Sequence, residues 1–119
     1  MPNALASREA VKYDFTVGDE EYFVVVKKQL TVGEEKRIRR IFIRYSLEGK
    51  PIPKGQDMEE ADVELILVAV VDWNFTDDKG QKLPIDKDTV EKLDPRLYET
   101  IKGILNEAYQ PPAEEAKNA

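Results

Sequence analysis

The side chains able to do chemistry in this chain are carboxylates and cations. Histidine and cysteine are both absent from its 119 residues. That removes the commonest general base and the commonest metal ligand together. It also excludes disulfides, thiolate zinc sites, a cysteine nucleophile and any Ser-His-Asp or Cys-His arrangement within the chain. Paired carboxylates remain at Glu59-Glu60, at Asp77-Asp78 and at Asp86 and Asp88. General acid–base work needs one of such a pair in an apolar cleft with a raised pKa. Glu59-Glu60 and Asp86/Asp88 instead sit where helix N-termini favour negative charge. Asp77-Asp78 suggests a calcium loop, but counting back from Gly80 as position 6 puts Phe75 at position 1 and Lys79 at position 5, neither an oxygen-ligand side chain. A β-turn is the expectation there. Asp72, between Val71 and Trp73, has the most unusual setting of the carboxylates, and is expected to bond backbone N–H groups of the turn that follows. The six glycines are scattered singly, so there is no phosphate-binding loop. No catalytic, cofactor-binding or metal-binding residue is expected, and the chain reads as a non-enzyme.

The cations gather at Lys36, Arg37, Arg39, Arg40 and Arg44. Phosphate contacts with nucleic acid would use such a strip. A pI of 4.8 argues against that, as does the lack of interleaved aromatic residues. A solvated helix face is the simpler reading; contact with an acidic protein surface, of this chain or a partner, is the intermediate one. Charge is unevenly placed: Met1 to Tyr45 carries 9 basic and 7 acidic residues, Ser46 to Ala119 carries 9 basic and 17 acidic, for a total of −6. Such asymmetry can steer association with a partner or with a second copy of the chain.

These residues need elements to hold them. A composition 41% apolar and 35% charged fits one folded domain under a solvated surface. Residues 1–10 read as a flexible N-terminus without the apolar segment of a signal peptide, which makes a cytoplasmic product the expectation. Val11, Tyr13, Phe15 and Val17 alternate with polar residues, Gly18-Asp19 is a turn pair, and Glu21 to Lys27 is rich in β-branched and aromatic residues. Together they predict a β-hairpin. A lone hairpin is marginal, so it needs a helix on its apolar face or a third strand from elsewhere, with another chain as one source.

Thr31 and Glu34 have capping-box spacing, and Ile38, Ile41, Phe42 and Tyr45 form the apolar face of a first helix. Residues 47–55, with two glycines and two prolines, read as a loop. Asp57 and Glu60 repeat the capping signature and predict a second helix from about Met58 to Asp72. The apolar run Leu65 to Val71 also fits a buried strand, but length and capping favour helix. It falls short of the about 20 residues that a membrane span needs. Asp86 is placed to cap a brief helix over Lys87 to Leu93. Asp94-Pro95 opens a last helix with Leu97, Tyr98, Ile101, Ile104, Leu105, Ala108 and Tyr109 on its apolar face. Residues 110–119 read as a disordered tail. The expected fold is α+β: an N-terminal β-hairpin followed by a small bundle of three to four helices, one domain over residues 11–109.

The order of features carries a further signal. A hairpin leads into a helix of LTVGEEKRIRRI type, an apolar helix runs into VVDWNFTDDKGQKLPI, and DKDTVEKLDPRLYETIKGIL closes the fold. Over residues 20 to 109 this resembles the tail assembly chaperones of long-tailed bacteriophages, through Asp72, Trp73, Asp77, Asp78, Gly80, Leu83, Pro84 and Leu97 to Leu105. The resemblance implies a non-enzymatic chaperone of the host cytoplasm. Such a protein binds the tape-measure protein, keeps it soluble and helps recruit tail-tube subunits. Its partner surface would be an amphipathic groove with a charged rim, and the candidate contacts are Trp73, Phe75, Tyr98, Ile101, Tyr109, Arg37, Arg40 and Arg44. The alternative is a virion structural or tail-completion protein that oligomerises through its hairpin edge. Neither nucleic acid nor membrane is an expected partner.

Overall fold

The hairpin forms where the alternation places it. In the computed structural model, which describes residues 4–47 and 59–109, with side chains through Ile41 and again from Glu60, strand β1 (Ala10–Val17) pairs antiparallel with β2 (Glu20–Lys27) in unbroken register from Ala10↔Lys27 to Val17↔Glu20. Gly18 takes φ 62°, and no non-glycine described residue has positive φ. A two-residue loop with positive φ at its first position alone is the II′ pattern, which matches the twist of paired strands. Tyr22, Val24 and Val26 of β2 face the core, opposite Phe15, Tyr13 and Val11 of β1.

Among the described residues there are four helices, α1 (Val32–Leu47), α2 (Glu59–Ala69), α3 (Lys87–Lys92) and α4 (Pro95–Ala108), of which α4 packs on β1. Their starts obey local chemistry. The Thr31 N–H donates to Glu34 Oε1 (2.9 Å), and the Glu34 N–H donates to Thr31 Oγ1 (3.1 Å), the reciprocal capping box. Asp86 caps α3 by accepting from the Thr89 N–H (2.8 Å). Asp94 caps α4 by accepting from the Arg96 N–H (2.9 Å), with Pro95 at the first helical position. Leu97, Ile101 and Leu105, four residues apart, are the buried stripe of α4. The predicted loop over residues 47–55 falls mostly outside the described residues, as do the Asp57 cap and the tail over 110–119.

One element differs from expectation. The second helix does not run on to Asp72: it ends at Ala69, and Val70–Trp73 is a third strand, β3, antiparallel to β2. The sheet order is β1-β2-β3, so the third strand comes from the same chain. Val70-Val71 is a β-branched pair that suits a pleated surface better than a helix end. Asn74 then fixes the register. The Phe23 N–H donates to Asn74 Oδ1 (2.8 Å), Asn74 Nδ2 donates to Glu21 O (3.2 Å), and the Asn74 N–H donates to Phe23 O (3.4 Å). Pairing shifts between Val25↔Asp72 and Val26↔Val70, which leaves Val71 as the bulged residue, 47% exposed.

The strand delivers Trp73 to the centre of the core, opposite Val24 and fully buried. The indole stacks on Phe75 at 4.6 Å between ring centroids, and Phe75 meets the Tyr22 ring edge-on at 5.5 Å. The indole N–H donates to Leu83 O (2.8 Å), so the buried ring leaves no donor unpaired. An indole withdraws on the order of 200 Å² from water, worth about 5 kcal/mol at 25 cal/mol per Å². Trp73→Ala is therefore expected to lower unfolding free energy by about 3–5 kcal/mol. Denaturant titration of the purified variant checks this, and a loss under about 1 kcal/mol contradicts a core ring.

Candidate functional site

A groove runs over α2 between α1 on one side and α3 and α4 on the other. Val63 and Leu67, one turn apart on α2, line the bottom. Arg37, Arg40 and Ile41 of α1 form one wall. Val90 and Glu91 of α3, Leu93, and Tyr98 and Glu99 of α4 form the other. The cleft holds about 860 Å³, at the upper end of the range for ligand sites. Its rim carries both charges: Arg37, Arg40 and Lys87 against Glu60, Glu64, Glu91 and Glu99. Arg37 donates to Glu64 across the α1–α2 junction (2.8 Å), and Arg39 pairs with Glu35 one turn back on its own helix (3.1 Å). Part of the cation strip therefore meets an acidic helix of the same chain, as the intermediate reading has it.

The wall formed by α1 is held to the sheet through Lys27. Its ammonium pairs with Glu34, whose other oxygen serves the capping box, and both side chains are largely shielded. Lys27 O also accepts from the Tyr109 hydroxyl (2.6 Å) at the far end of α4. The other end of α4 reaches the hairpin turn, where Arg96 lies against Gly18. The last helix thus spans the length of the hairpin and is tied at Lys27. Burial, with the nearby Tyr13 and Glu34, pushes the Tyr109 hydroxyl up to about 12.

The proposed contact residues separate into two groups. Arg37, Arg40 and Tyr98 come together on the groove. Trp73, Phe75 and Ile101 lie in the core, with at most 1% of their surface exposed, and present nothing to a partner. Tyr109 is a half-buried tie to β2 rather than a free contact. The Arg44 side chain lies outside the described residues. The apolar floor, Val63 and Leu67, was missed; its signal is their one-turn spacing beside Glu60 and Glu64, masked by the apolar run that follows.

Several carboxylates serve local bonds. The Lys82 ammonium, and secondarily the Trp73 N–H, hold Asp72 below the usual carboxylate range. The expectation that Asp72 serves the following turn is thus corrected: Asp77 does so, accepting from the Lys79 and Gln81 N–H groups (2.8 and 3.0 Å) while Gly80 takes φ 78°. Lysine 82 reaches Asp72 because Thr76 and Lys82 bridge the two arms of that turn. Asp86 and Asp94 are likewise held low, by Thr89 and by Arg96. Among the described residues no cluster of three or more carboxylates is arranged to hold a metal, and no helix is long and apolar enough to cross a membrane.

Comparison with protein-family models, with curated proteins and with solved structures finds no match. The geometry therefore stands by itself. It offers an apolar-floored groove, charged on both banks.

Two predictions concern the Lys27 junction. The Lys27 ammonium, followed by the Thr31 N–H, holds Glu34 below its ordinary value of 4.5. A carboxyl depressed in the folded state stabilises it fully above the unfolded value and loses that contribution as pH falls through the folded one. Glu34→Gln is therefore expected to destabilise at pH 7, with the gap to wild type closing as pH falls below 4.5. Melting curves over an acid series check it, and a gap independent of pH contradicts it. Tyr109→Phe removes one hydrogen bond and should cost about 1 kcal/mol in denaturant titration.

Proposed function

We propose that this chain is a non-enzymatic binding protein: a tail assembly chaperone of a long-tailed bacteriophage, acting in the host cytoplasm. Its groove takes an amphipathic helix of the tape-measure protein, keeps that protein soluble and helps bring tail-tube subunits to it. The observation that carries the reading is the groove itself. An apolar floor between charged banks suits a helix with an apolar stripe at i, i+3, i+4 and i+7 and charged flanks. Banks of mixed sign favour such a helix over a polyanion, whose phosphates Glu60, Glu64, Glu91 and Glu99 would repel. The partner's identity rests on the resemblance over residues 20 to 109 alone.

A second reading, a virion structural or tail-completion protein, draws support from the open edge of β1. Mass spectrometry of purified particles separates the two: a chaperone is absent from mature virions, whereas fixed stoichiometry favours the virion component.

Co-expression with the tape-measure protein of the same phage tests the leading reading. The tape-measure protein is expected to move into the soluble fraction and co-purify with this chain. Val63→Asp and Arg40→Glu are expected to weaken that capture about tenfold or more while the variants stay folded. A tape-measure protein whose solubility is the same with and without this chain contradicts the proposal.

A further inference from the structure

The two edges of the sheet are unlike. Strand β3 is four residues long, bulged at Val71 and followed by Asn74, which turns its polar atoms back onto β2. Strand β1 is eight residues long, regular, and free of proline. A long regular edge is a template for another strand, and natural sheets usually blunt one.

The direction of the backbone groups on β1 follows from its pairing. In an antiparallel ladder, pairs that exchange both backbone hydrogen bonds alternate with pairs that exchange none. Beyond the strand end the Lys28 N–H donates to Glu9 O (2.9 Å), and the two-residue turn closes on Val17 and Glu20. Both fix the bonded residues of β1 as Val11, Tyr13, Phe15 and Val17. Ala10, Lys12, Asp14 and Thr16 therefore aim N–H and C=O at the open edge, where no bond from a described residue reaches them.

We infer that two copies of this chain pair antiparallel through β1, in the register centred on Tyr13, to make one continuous sheet about a two-fold axis. Parity limits the choice, because outward-facing residues must lie opposite outward-facing residues. Centring on Lys12 sets Lys12 against its own copy, and centring on Asp14 does the same for Asp14; like charges directly opposed are unfavourable. Centring on Tyr13 places Lys12 opposite Asp14 of the second copy, twice by symmetry. It also sets Val11, 36% exposed, against Phe15 of the second copy on the core face. In the single chain Lys12 and Asp14 make a loose pair at 3.6 Å, with side chains 56% and 75% exposed, and the Lys12 ammonium lies over the Phe23 ring at 4.6 Å, so a partner carboxylate competes only with these solvent-exposed contacts. The two-fold closes after two copies, and no further edge of this kind remains.

This edge lies apart from the groove, and the dimer stands whether or not the groove takes a tape-measure helix. Sedimentation equilibrium of the full chain tests it. The wild type is expected to be a reversible dimer. Lys12→Asp and Asp14→Lys, each placing like charges opposite, should weaken it about tenfold or more. An equimolar mixture of the two single variants regains the dimer as a heterodimer, and the double variant K12D/D14K regains it as a homodimer. A monomer at millimolar protein overturns the proposal, as does a dimer indifferent to the single substitutions. Weakened single variants that neither mixing nor the double variant restores overturn the register.

Discussion

At Val70 the chain leaves a helix and enters a strand with no loop between them, and the rest of the molecule is arranged around that change of direction. An isolated hairpin buries too little to stand alone. Strand β3 gives it a third member and brings Trp73 against Val24, where the indole stacks on Phe75 and donates to Leu83 O. That ring cluster also reaches β1, since Phe15 stacks on Tyr22 at 5.9 Å and meets Phe75 edge-on at 6.4 Å. A few side chains therefore couple the hairpin, the third strand and the return arm from the Asp77 turn.

The same change of direction shapes the surface. The end of α2 at Ala69 commits Ile66, Ala69 and Val70 to the core and leaves Val63 and Leu67 half-buried on the side facing α1 and α3. Arg37–Glu64 and Lys102–Asp62 hold α2 to α1 and to α4. The first is partly exposed at Arg37 and pairs of that kind contribute about 0–1 kcal/mol, whereas the second is half-buried on both sides. A groove between helices, with its floor fixed by the sheet below, is a consequence.

Local chemistry was legible in the sequence and long-range pairing was not. The capping box at Thr31 and Glu34, the cap at Asp86, the Asp94-Pro95 start and the Gly18-Asp19 turn each depend on residues within three or four positions of one another. All are where the residue types place them. The end of α2 depends on something else. Leu65 to Val71 is apolar at nearly every position, so its period cannot distinguish helix from strand. The deciding bonds run from Asn74 to Phe23 and Glu21, 51 and 53 residues away. The same gap explains the contact residues. Trp73, Phe75 and Ile101 have the residue types of a binding surface and of a core alike, and only the position of β3 and α4 separates the two. Arg37 and Arg40 were legible as surface cations, but the carboxylates that share the rim with them, Glu60 and Glu64, belong to another helix.

The claim beneath all of this is that residues 70–73 are a strand on β2 rather than the last turn of α2. NMR assignment of the full chain tests it most directly. Val24 and Trp73 form a pair without mutual backbone bonds, whose Cα atoms approach to about 4.5 Å. A strong Hα–Hα contact between Val24 and Trp73, with extended-chain carbon shifts from Val70 to Trp73, is the expected result. Helical shifts continuing through Trp73, with no contact to Val24, would contradict it.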